Sequence, residues 1–140
     1  MVDVALQYIA WGFHVLALHT AIRGRCDCYR PGCDSAGKHP RTKHGVLDAT
    51  ADTATARQWF TRWPFANLGI ATSGLIVINV DPPGLSEWQE LSRRLELRTT
   101  RTVRTGSGGI HVMYSAPAGV TVGNCSGRLP PGIDVRGKRL

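Results

Sequence analysis

The sequence predicts an α+β domain in which short, hairpin-like pairs of strands are mixed with helices. A chain of 140 residues is long enough to bury a core without disulfide bonds. Segments with helical spacing and short apolar runs follow one another irregularly, with Gly-rich connections between some of the runs. This pattern favours hairpins over a regular parallel alternation of helices and strands. No internal repeat or linker divides the sequence, so we expect one domain over residues 1–140.

The first half of the chain predicts a helix over residues 3–11, a strand over 13–18, an irregular segment over 19–48 and a helix over 52–63. Gly12 ends the first helix, and Asp52 is placed to cap the second. The second helix carries an aromatic stripe at helical spacing, which favours a side facing the core over a ligand platform: Trp59, Phe60 and Trp63. The irregular segment is too long for an ordinary connection, which indicates a functional loop.

The second half predicts strands over residues 68–71 and 75–81, a helix over 85–97, and strands over 101–105 and 110–115. The first strand pair flanks Thr72-Ser73-Gly74. The second pair flanks Gly106-Ser107-Gly108-Gly109. Both connections are rich in turn-forming residues, as hairpins require.

The charge balance is basic, with 17 Lys plus Arg against 10 Asp plus Glu. Most of the positive side chains fall into three groups, within residues 23–43, 93–104 and 128–139. Grouped Lys and Arg favour a polyanionic partner such as a nucleic acid, although a single basic run also serves solubility. No apolar run is long enough to span a bilayer, and Asp3, His14 and His19 interrupt the first twenty residues. We therefore expect a soluble, cytoplasmic protein with no membrane partner.

The segment Leu75-Ile-Val-Ile-Asn-Val-Asp81 predicts a buried strand that ends in two oxygen-bearing side chains. Asn79 and Asp81 project from the same face because side chains alternate along a strand. Two acids so placed can share a hard divalent cation such as Mg²⁺. Here the first position is an amide, which lacks the charge.

Three cysteines and a histidine in the irregular segment predict a structural zinc site: Cys26, Cys28, Cys33 and His39. Zinc accepts four such sulfur and nitrogen ligands tetrahedrally, and the turn at Pro31-Gly32 can bring Cys33 beside the Cys-x-Cys pair. The alternative is a set of reduced surface thiols. His44 is a substitute for the fourth ligand, whereas the distant Cys125 is better explained as a small core residue. Such a site would order a loop spanning about residues 23–44.

The turn Gly106-Ser107-Gly108-Gly109 can form an anion-binding concavity from successive backbone N–H groups. His111 follows on a strand and can donate to a phosphate, and Arg104 precedes the turn. Hairpins use the same residues, which is the alternative interpretation.

The segment Gly132-Ile-Asp134-Val-Arg136-Gly places an acid beside a fixed positive charge. Alone it is also explained as a turn with a local ion pair. Together with Asp81 and His111, Asp134 completes a set of acids and a phosphate binder of the kind that nucleotidyl transfer needs.

The chain resembles the N-terminal domain of bifunctional DNA primase/polymerases, the Prim-Pol branch of the archaeo-eukaryotic primase superfamily, often encoded by phages, plasmids and other mobile elements. The ordered motifs that carry the resemblance are Ala10-Trp-Gly-Phe-His-Val, Gly37-Lys-His-Pro, Asp48-Ala-Thr, Trp63-Pro, Asn67-Leu-Gly-Ile-Ala, Val77-Ile-Asn-Val-Asp81, Thr105-Gly-Ser-Gly-Gly-Ile-His111 and Pro131-Gly-Ile-Asp134-Val-Arg-Gly. The resemblance implies a primase-like core related to the RNA-recognition fold, with a mainly antiparallel sheet flanked by helices.

The resemblance also implies a site. The family's first acidic motif falls on Asn79 and Asp81, its small-residue-x-His motif on Gly109 and His111, and its third acid on Asp134. In the family the acids hold Mg²⁺ or Mn²⁺, and the histidine with nearby small and basic residues receives the triphosphate. The further nucleotide-binding candidates are Lys38, Arg41, Arg104, Gly106, Ser107, Gly108 and Arg136. The implied partners are nucleoside triphosphates and single-stranded or primed template DNA, with any helicase or replication partner encoded elsewhere.

Two departures from the family pattern bear on activity. Asn79 stands where the family usually has Asp, so we expect weaker metal binding and weak or absent catalysis. The family domain generally continues beyond the Asp-Val-Arg-Gly motif, whereas this chain ends at Leu140, so we expect a shortened or incomplete domain. The sequence thus supports a primase/polymerase-type nucleotidyltransferase, and the alternative is a non-catalytic, zinc-containing module that binds nucleic acid or nucleotide.

Overall fold

The computed structural model describes residues 1–137 as a mixture of helices and antiparallel strands, which confirms the predicted α+β class. The chain divides into two compact units, Met1–Ala71 and the residues from Thr72 on. The elements of the first unit are α1 (Val2–Ala10), β1 (Val15–Leu18), β2 (Ala21–Ile22), β3 (Arg25–Cys26), α2 (Thr53–Arg62) and β4 (Asn67–Ile70). A short 3₁₀ helix spans Gly45–Asp48.

The first unit packs α1 and α2 against the antiparallel pair of β1 and β4. Its core is built mostly from small side chains around Phe60, which is 1% exposed: Ala5, Val15, Ala17, Ala56 and Ala66. Small residues let helices and strands approach closely, and the Phe60 ring fills the space that they leave. The predicted stripe is confirmed, because Trp59 and Trp63 also pack against this core. Asp52 caps α2 as predicted, accepting a hydrogen bond from the Thr55 backbone N–H at 2.7 Å.

The irregular segment after β1 contains more structure than its composition predicts. Strands β2 and β3 form a hairpin closed by two residues, Arg23 and Gly24, both with positive φ (48° and 76°). Positive φ at both positions matches the right-handed twist of the flanking strands. Later in the segment, Pro40 forms an isolated antiparallel bridge with Leu18, so the chain comes back beside β1.

The described residues of the second unit form a four-stranded antiparallel sheet and a helix. Its elements are β5 (Leu75–Val80), α3 (Leu85–Arg94), β6 (Thr102–Arg104), β7 (Ile110–Ser115) and β8 (Ile133–Arg136), with a 3₁₀ turn at Pro82–Gly84. The strand order is β6-β7-β5-β8, so β5 is internal and pairs with β7 and β8. Strand alternation separates the two faces of this sheet.

One face of this sheet packs against α3. Val80, Val112 and Ile133 lie in three adjacent strands and form a buried cluster with Trp88 of the helix. Ile78 and Ile110 pack against the same cluster. Residues one position away in each strand therefore project from the opposite face, and Asn79, His111 and Asp134 are among them.

The structure differs from the predicted elements in three places. Strand β8 lies where the sequence also allowed a turn, since Pro131-Gly132 and two charged residues obscure its alternation. The predicted strands around Thr72-Ser73-Gly74 do not pair with each other, because β4 pairs with β1 and β5 pairs with β7 and β8. Helix α3 ends at Arg94 rather than at residue 97. No helix among residues 1–137 has the length and apolar character needed to cross a bilayer.

Candidate functional site

A row of three polar residues crosses the face of the sheet opposite α3. Asn79 in β5 is the direct register partner of His111 in β7 on one side and of Asp134 in β8 on the other. The His111 Nε2 atom lies 2.9 Å from Asn79 Oδ1. Because directly opposed side chains on one face are close neighbours, residues that are far apart in the sequence form one polar row.

Asp81 lies just beyond the end of β5, two residues after Asn79. Its backbone N–H donates to the Gly132 carbonyl oxygen at 2.8 Å. Gly84 and Gly132 touch each other so closely that a Cβ on either would lie 2.8 Å from backbone atoms of the other. The absence of side chains at these two glycines therefore brings the turn after Asp81 against the turn before β8, the strand that carries Asp134.

The glycine-rich turn between β6 and β7 is held against the same end of β5. A Cβ on Gly109 would lie 2.2 Å from the Val80 carbonyl oxygen and 3.1 Å from the Asp81 Cα, so only glycine fits. The Thr105 N–H donates to Gly109 O and the Gly108 N–H to Thr105 O. Within residues 1–137, the backbone N–H groups of Gly106 and Ser107 have no backbone acceptor. These groups remain available to a ligand beside Asp81.

The electrostatic environment favours neutral His111 in the unliganded protein. Burial lowers the pKa of His111 below its usual range; the charge of Asp81 opposes this shift, and that of Arg136 adds to it. Arg136 lies on the same face as Asp134 and donates to its Oδ2 at 3.3 Å, as the sequence predicted for a local ion pair. An anion bound near His111 would favour the protonated ring.

Three further basic candidates lie in other elements of the chain. Arg104 is the register partner of Ile110 and so projects from the face that packs against α3. Lys38 and Arg41 belong to the first unit. The Lys38 side chain is exposed, whereas the Arg41 guanidinium contacts the Asp27 carboxylate, donates to Leu18 O at 3.0 Å and lies over the Trp63 ring.

The predicted zinc ligands come together in the first unit. One ligand atom from each residue lies within 4.8 Å of all the others in the set Cys26, Cys28, Cys33 and His39. Cys26 Sγ and His39 Nε2 are 3.2 Å apart. Three thiol sulfurs and one imidazole nitrogen at these separations fit tetrahedral zinc. His44 is exposed and pairs with Asp48 instead, and Cys125 lies in the second unit.

Two residues outside the predicted ligand set support this cluster. The His19 ring packs against the His39 ring with centroids 4.3 Å apart, and His19 Nδ1 lies 2.7 Å from Asp27 Oδ1. Asp27 also accepts from the Thr20 N–H and from Arg41. With Cys26, these two residues form a second possible ligand group. The only sequence signal for Asp27 was its place inside the Cys-x-Cys pair.

Cys26 and Asp27 are shifted toward their charged forms, whereas Cys33 is not. Burial alone would raise the pKa of Cys26, but hydrogen bonds from the Gly37 and Cys28 backbones and from the Cys28 and His39 side chains together outweigh it and lower the value to about 6. The Ser35 backbone lowers the pKa of Cys33, but burial and the neighbouring Cys28 and Cys26 outweigh it and raise the value above its usual range. Burial likewise works against ionised Asp27, yet the Thr20 N–H, His19 and Arg41 lower its pKa to about 2. A thiolate is the form that binds a metal, so the surroundings of Cys26 favour ligation.

The polar row is a looser arrangement than the cysteine cluster. Among the described residues from Thr72 on, no three His, Cys, Asp or Glu side chains offer ligand atoms as close together as those of the cysteine cluster. Asp81, His111 and Asp134 therefore do not form a closed metal cage by themselves.

Comparison with known proteins identifies the family. A family model described as bifunctional DNA primase/polymerase, N-terminal, matches residues 5–140. No curated protein and no solved structure gave a significant match. The matched segment contains both the polar row and the cysteine cluster, and it covers nearly the whole sequence. The chain belongs to the Prim-Pol family, the N-terminal domains of bifunctional DNA primase/polymerases.

Proposed function

We propose that this chain is a primase/polymerase-type nucleotidyltransferase domain whose nucleotide site is the polar row of the second unit. The observation that carries the proposal is the register of β5, which sets Asn79 between His111 and Asp134 and is followed by Asp81. Family membership implies DNA and nucleotide substrates. A primase-like core is supported by an antiparallel sheet with a helix on one face and the polar row on the other.

The triphosphate is received by the turn from Gly106 to Gly109 together with His111 and Arg136. The turn offers backbone N–H groups at the end of β5, because Gly109 has no side chain and lets the turn lie against Val80. Asn79 Oδ1 accepts from His111 Nε2, which fixes the ring and its tautomer. The ring then gains its second proton when a phosphate binds, because the anion reverses the effect of burial.

Asp81 and Asp134 are the residues that would hold a divalent cation, Mg²⁺ or Mn²⁺. Their carboxylate oxygens suit a hard cation, and Asn79 adds only a neutral oxygen that already accepts from His111. A bound cation would neutralise the triphosphate and polarise the attacking 3′ oxygen. The residues of the chain supply position and charge for in-line displacement rather than covalent chemistry. With one carboxylate fewer than the family pattern, transfer by this chain is weak.

A second candidate function is a non-catalytic, zinc-containing module that binds nucleotide or nucleic acid. The amide at position 79 favours this function. It keeps the hydrogen bond to His111, but it lacks the negative charge of the Asp that is usual in the family. In either case the cysteine cluster holds structural Zn²⁺ and orders the loop around it.

A primer-extension assay with Mg²⁺ or Mn²⁺ distinguishes the two functions. The unaltered chain should extend a primed template weakly, Asn79→Asp should extend it faster, and Asp81→Ala in that background should abolish extension. Binding of a labelled nucleotide should persist in all three proteins that retain His111 and the glycine turn. Unchanged extension and unchanged metal affinity in Asn79→Asp would favour the non-catalytic module.

A further inference from the structure

A cleft of about 680 Å³ opens on the cysteine loop of the first unit. It lies between the β2–β3 hairpin and the turn that leads from Cys28 to Cys33. Side chains that line it include Ile22, Arg25, Tyr29, Arg30 and Pro31. The zinc ligands contribute only Cys26 and Cys33 to its wall, so most of the cleft lies outside the proposed metal centre.

Tyr29 is held in an unusual conformation at this cleft. Its φ is 56°, a left-handed value that bulky residues rarely adopt, and its side chain is 91% exposed. The Tyr29 N–H donates to Cys26 O at 3.4 Å, which ties the residue to the cysteine turn. A strained backbone that presents an exposed aromatic ring suggests a contact surface, since neither packing nor turn geometry requires tyrosine there.

The surroundings of Tyr29 carry unpaired positive charge. Arg23, Arg25 and Arg30 are exposed, and none of their guanidinium groups pairs with another side chain within residues 1–137. Asp27 is the acid that lines the cleft, and its carboxylate is already bound by His19 and Arg41. The open side of the cleft therefore presents positive charge around one aromatic ring.

We propose that this cleft binds single-stranded DNA, with an unpaired base stacked on Tyr29 and the flanking phosphates at Arg25 and Arg30. An aromatic platform with adjacent basic groups is the chemistry that recognises unpaired bases without reading their sequence. A duplex keeps the faces of its bases stacked inside, where Tyr29 cannot stack on them, so a single strand fits better. The inference rests on the proposed function only in taking DNA as the polyanion, since the cleft belongs to the first unit and the polar row to the second.

The test measures affinity for a short fluorescent oligonucleotide at several salt concentrations, using the full chain. Tyr29→Ala should weaken binding about tenfold, and Tyr29→Phe should restore it because the ring is retained. Arg30→Ala should also reduce the slope of log affinity against log salt by about 0.7, the share of one phosphate contact on a single strand. Tyr29→Ala should leave that slope unchanged.

Two control variants test whether the loss of DNA affinity is specific to the cleft or follows from removing any exposed aromatic or arginine side chain. Phe65 is another exposed aromatic in the first unit, at 82% exposure, and Arg57 is an exposed arginine of α2; neither lines the cleft. Phe65→Ala and Arg57→Ala should change affinity far less than the cleft variants. An oligonucleotide of abasic sites should bind the parent and Tyr29→Ala equally, because it offers phosphates without a base to stack.

The outcomes separate this inference from the proposed function. Equal affinity of the parent and Tyr29→Ala for normal single strands would overturn the inference, as would undetectable binding at low salt. A different result would be an acidic peptide that competes fully with the oligonucleotide and depends equally on Tyr29. That result would identify a protein, and not DNA, as the partner of the cleft. Labelled-nucleotide binding, measured on the same variants, should not change. Its absence in the parent would count against the proposed function alone.

Discussion

His111 Nε2 and Asn79 Oδ1 are 2.9 Å apart across two antiparallel strands, and they form the one direct hydrogen bond between side chains of the polar row in the described residues. An amide oxygen only accepts, so Nε2 is the nitrogen that carries the proton. The amide thus orients the imidazole without adding charge. A carboxylate at the same position would keep this geometry and also stabilise the doubly protonated ring.

Asn79→Asp should raise the pKa of His111. A negative charge 2.9 Å from the ring favours the imidazolium, which opposes the effect of burial. His111 should then carry charge to higher pH than in the parent. NMR titration of the His111 ring protons measures this directly. Asn79→Ala, which removes the acceptor without adding charge, is the control, and an equal pKa in the parent and Asn79→Asp would place residue 79 out of contact with the ring in solution.

The purified protein should contain about one Zn²⁺ per chain. Cys33→Ser removes one of four ligands, so it should lower both the zinc content and the melting temperature. Cys125→Ser is the matched control, because Cys125 lies in the second unit, outside the ligand group. Elemental analysis gives the metal content. Full zinc occupancy in Cys33→Ser would exclude this ligand set, and unchanged stability of the metal-free chain would exclude a structural role.

Gly109→Ala should destabilise the second unit by about 1–3 kcal/mol, because its Cβ would overlap the Val80 carbonyl oxygen and the strand ends would have to separate. Nucleotide binding should weaken with it. Gly106→Ala lies in the same turn, where an added Cβ meets no atom within 4 Å, and should change stability by less than about 0.5 kcal/mol. Denaturant unfolding of both variants provides the comparison. Similar losses in the two would mean that the turn is not held against β5.

Asp27 should make the first unit sensitive to acid. Its pKa is about 2 in the folded protein against 3.8 ordinarily, so its carboxylate stabilises the fold above about pH 4. That contribution, about 1–2 kcal/mol, should disappear as the pH falls from 4 toward 2. Asp27→Asn should therefore lose less stability over this interval than the parent. Asp34→Asn, at an exposed site without an arginine partner among residues 1–137, should follow the parent curve. Coincident curves for all three proteins would contradict the assignment.

The sequence allowed much of the polar row, and Asp81 next to it, to be predicted because strand alternation and short motifs act locally. Asn79 and Asp81 follow from period two, and His111 follows from a turn and a short strand. Pairing between strands was harder. Proximity in the sequence favoured β4 beside β5, whereas burial of small residues in the first unit pairs β4 with β1. β8 was obscured because its outward residues are Asp134 and Arg136, which also suit a turn.

The residues that support the cysteine cluster could not be predicted from their spacing in the sequence. His19 and Asp27 reach it through a ring contact and a hydrogen bond that depend on how the hairpin folds back. Arg41 illustrates the same limit, since its place in a basic motif suggested phosphate while its guanidinium contacts Asp27 and Trp63. Residue type predicted the ligands, but only the three-dimensional arrangement identified what holds them.

The internal position of β5 also has a consequence for biosynthesis. Leu75–Val80 is strongly apolar, and both of its hydrogen-bonding edges are closed by strands that leave the ribosome later, β7 and then β8. Until then a nascent chain exposes an apolar segment whose two strand edges are unpaired, and such a segment is prone to aggregate. We expect truncation before β8 to yield insoluble protein, and chaperone demand during translation to concentrate on this strand.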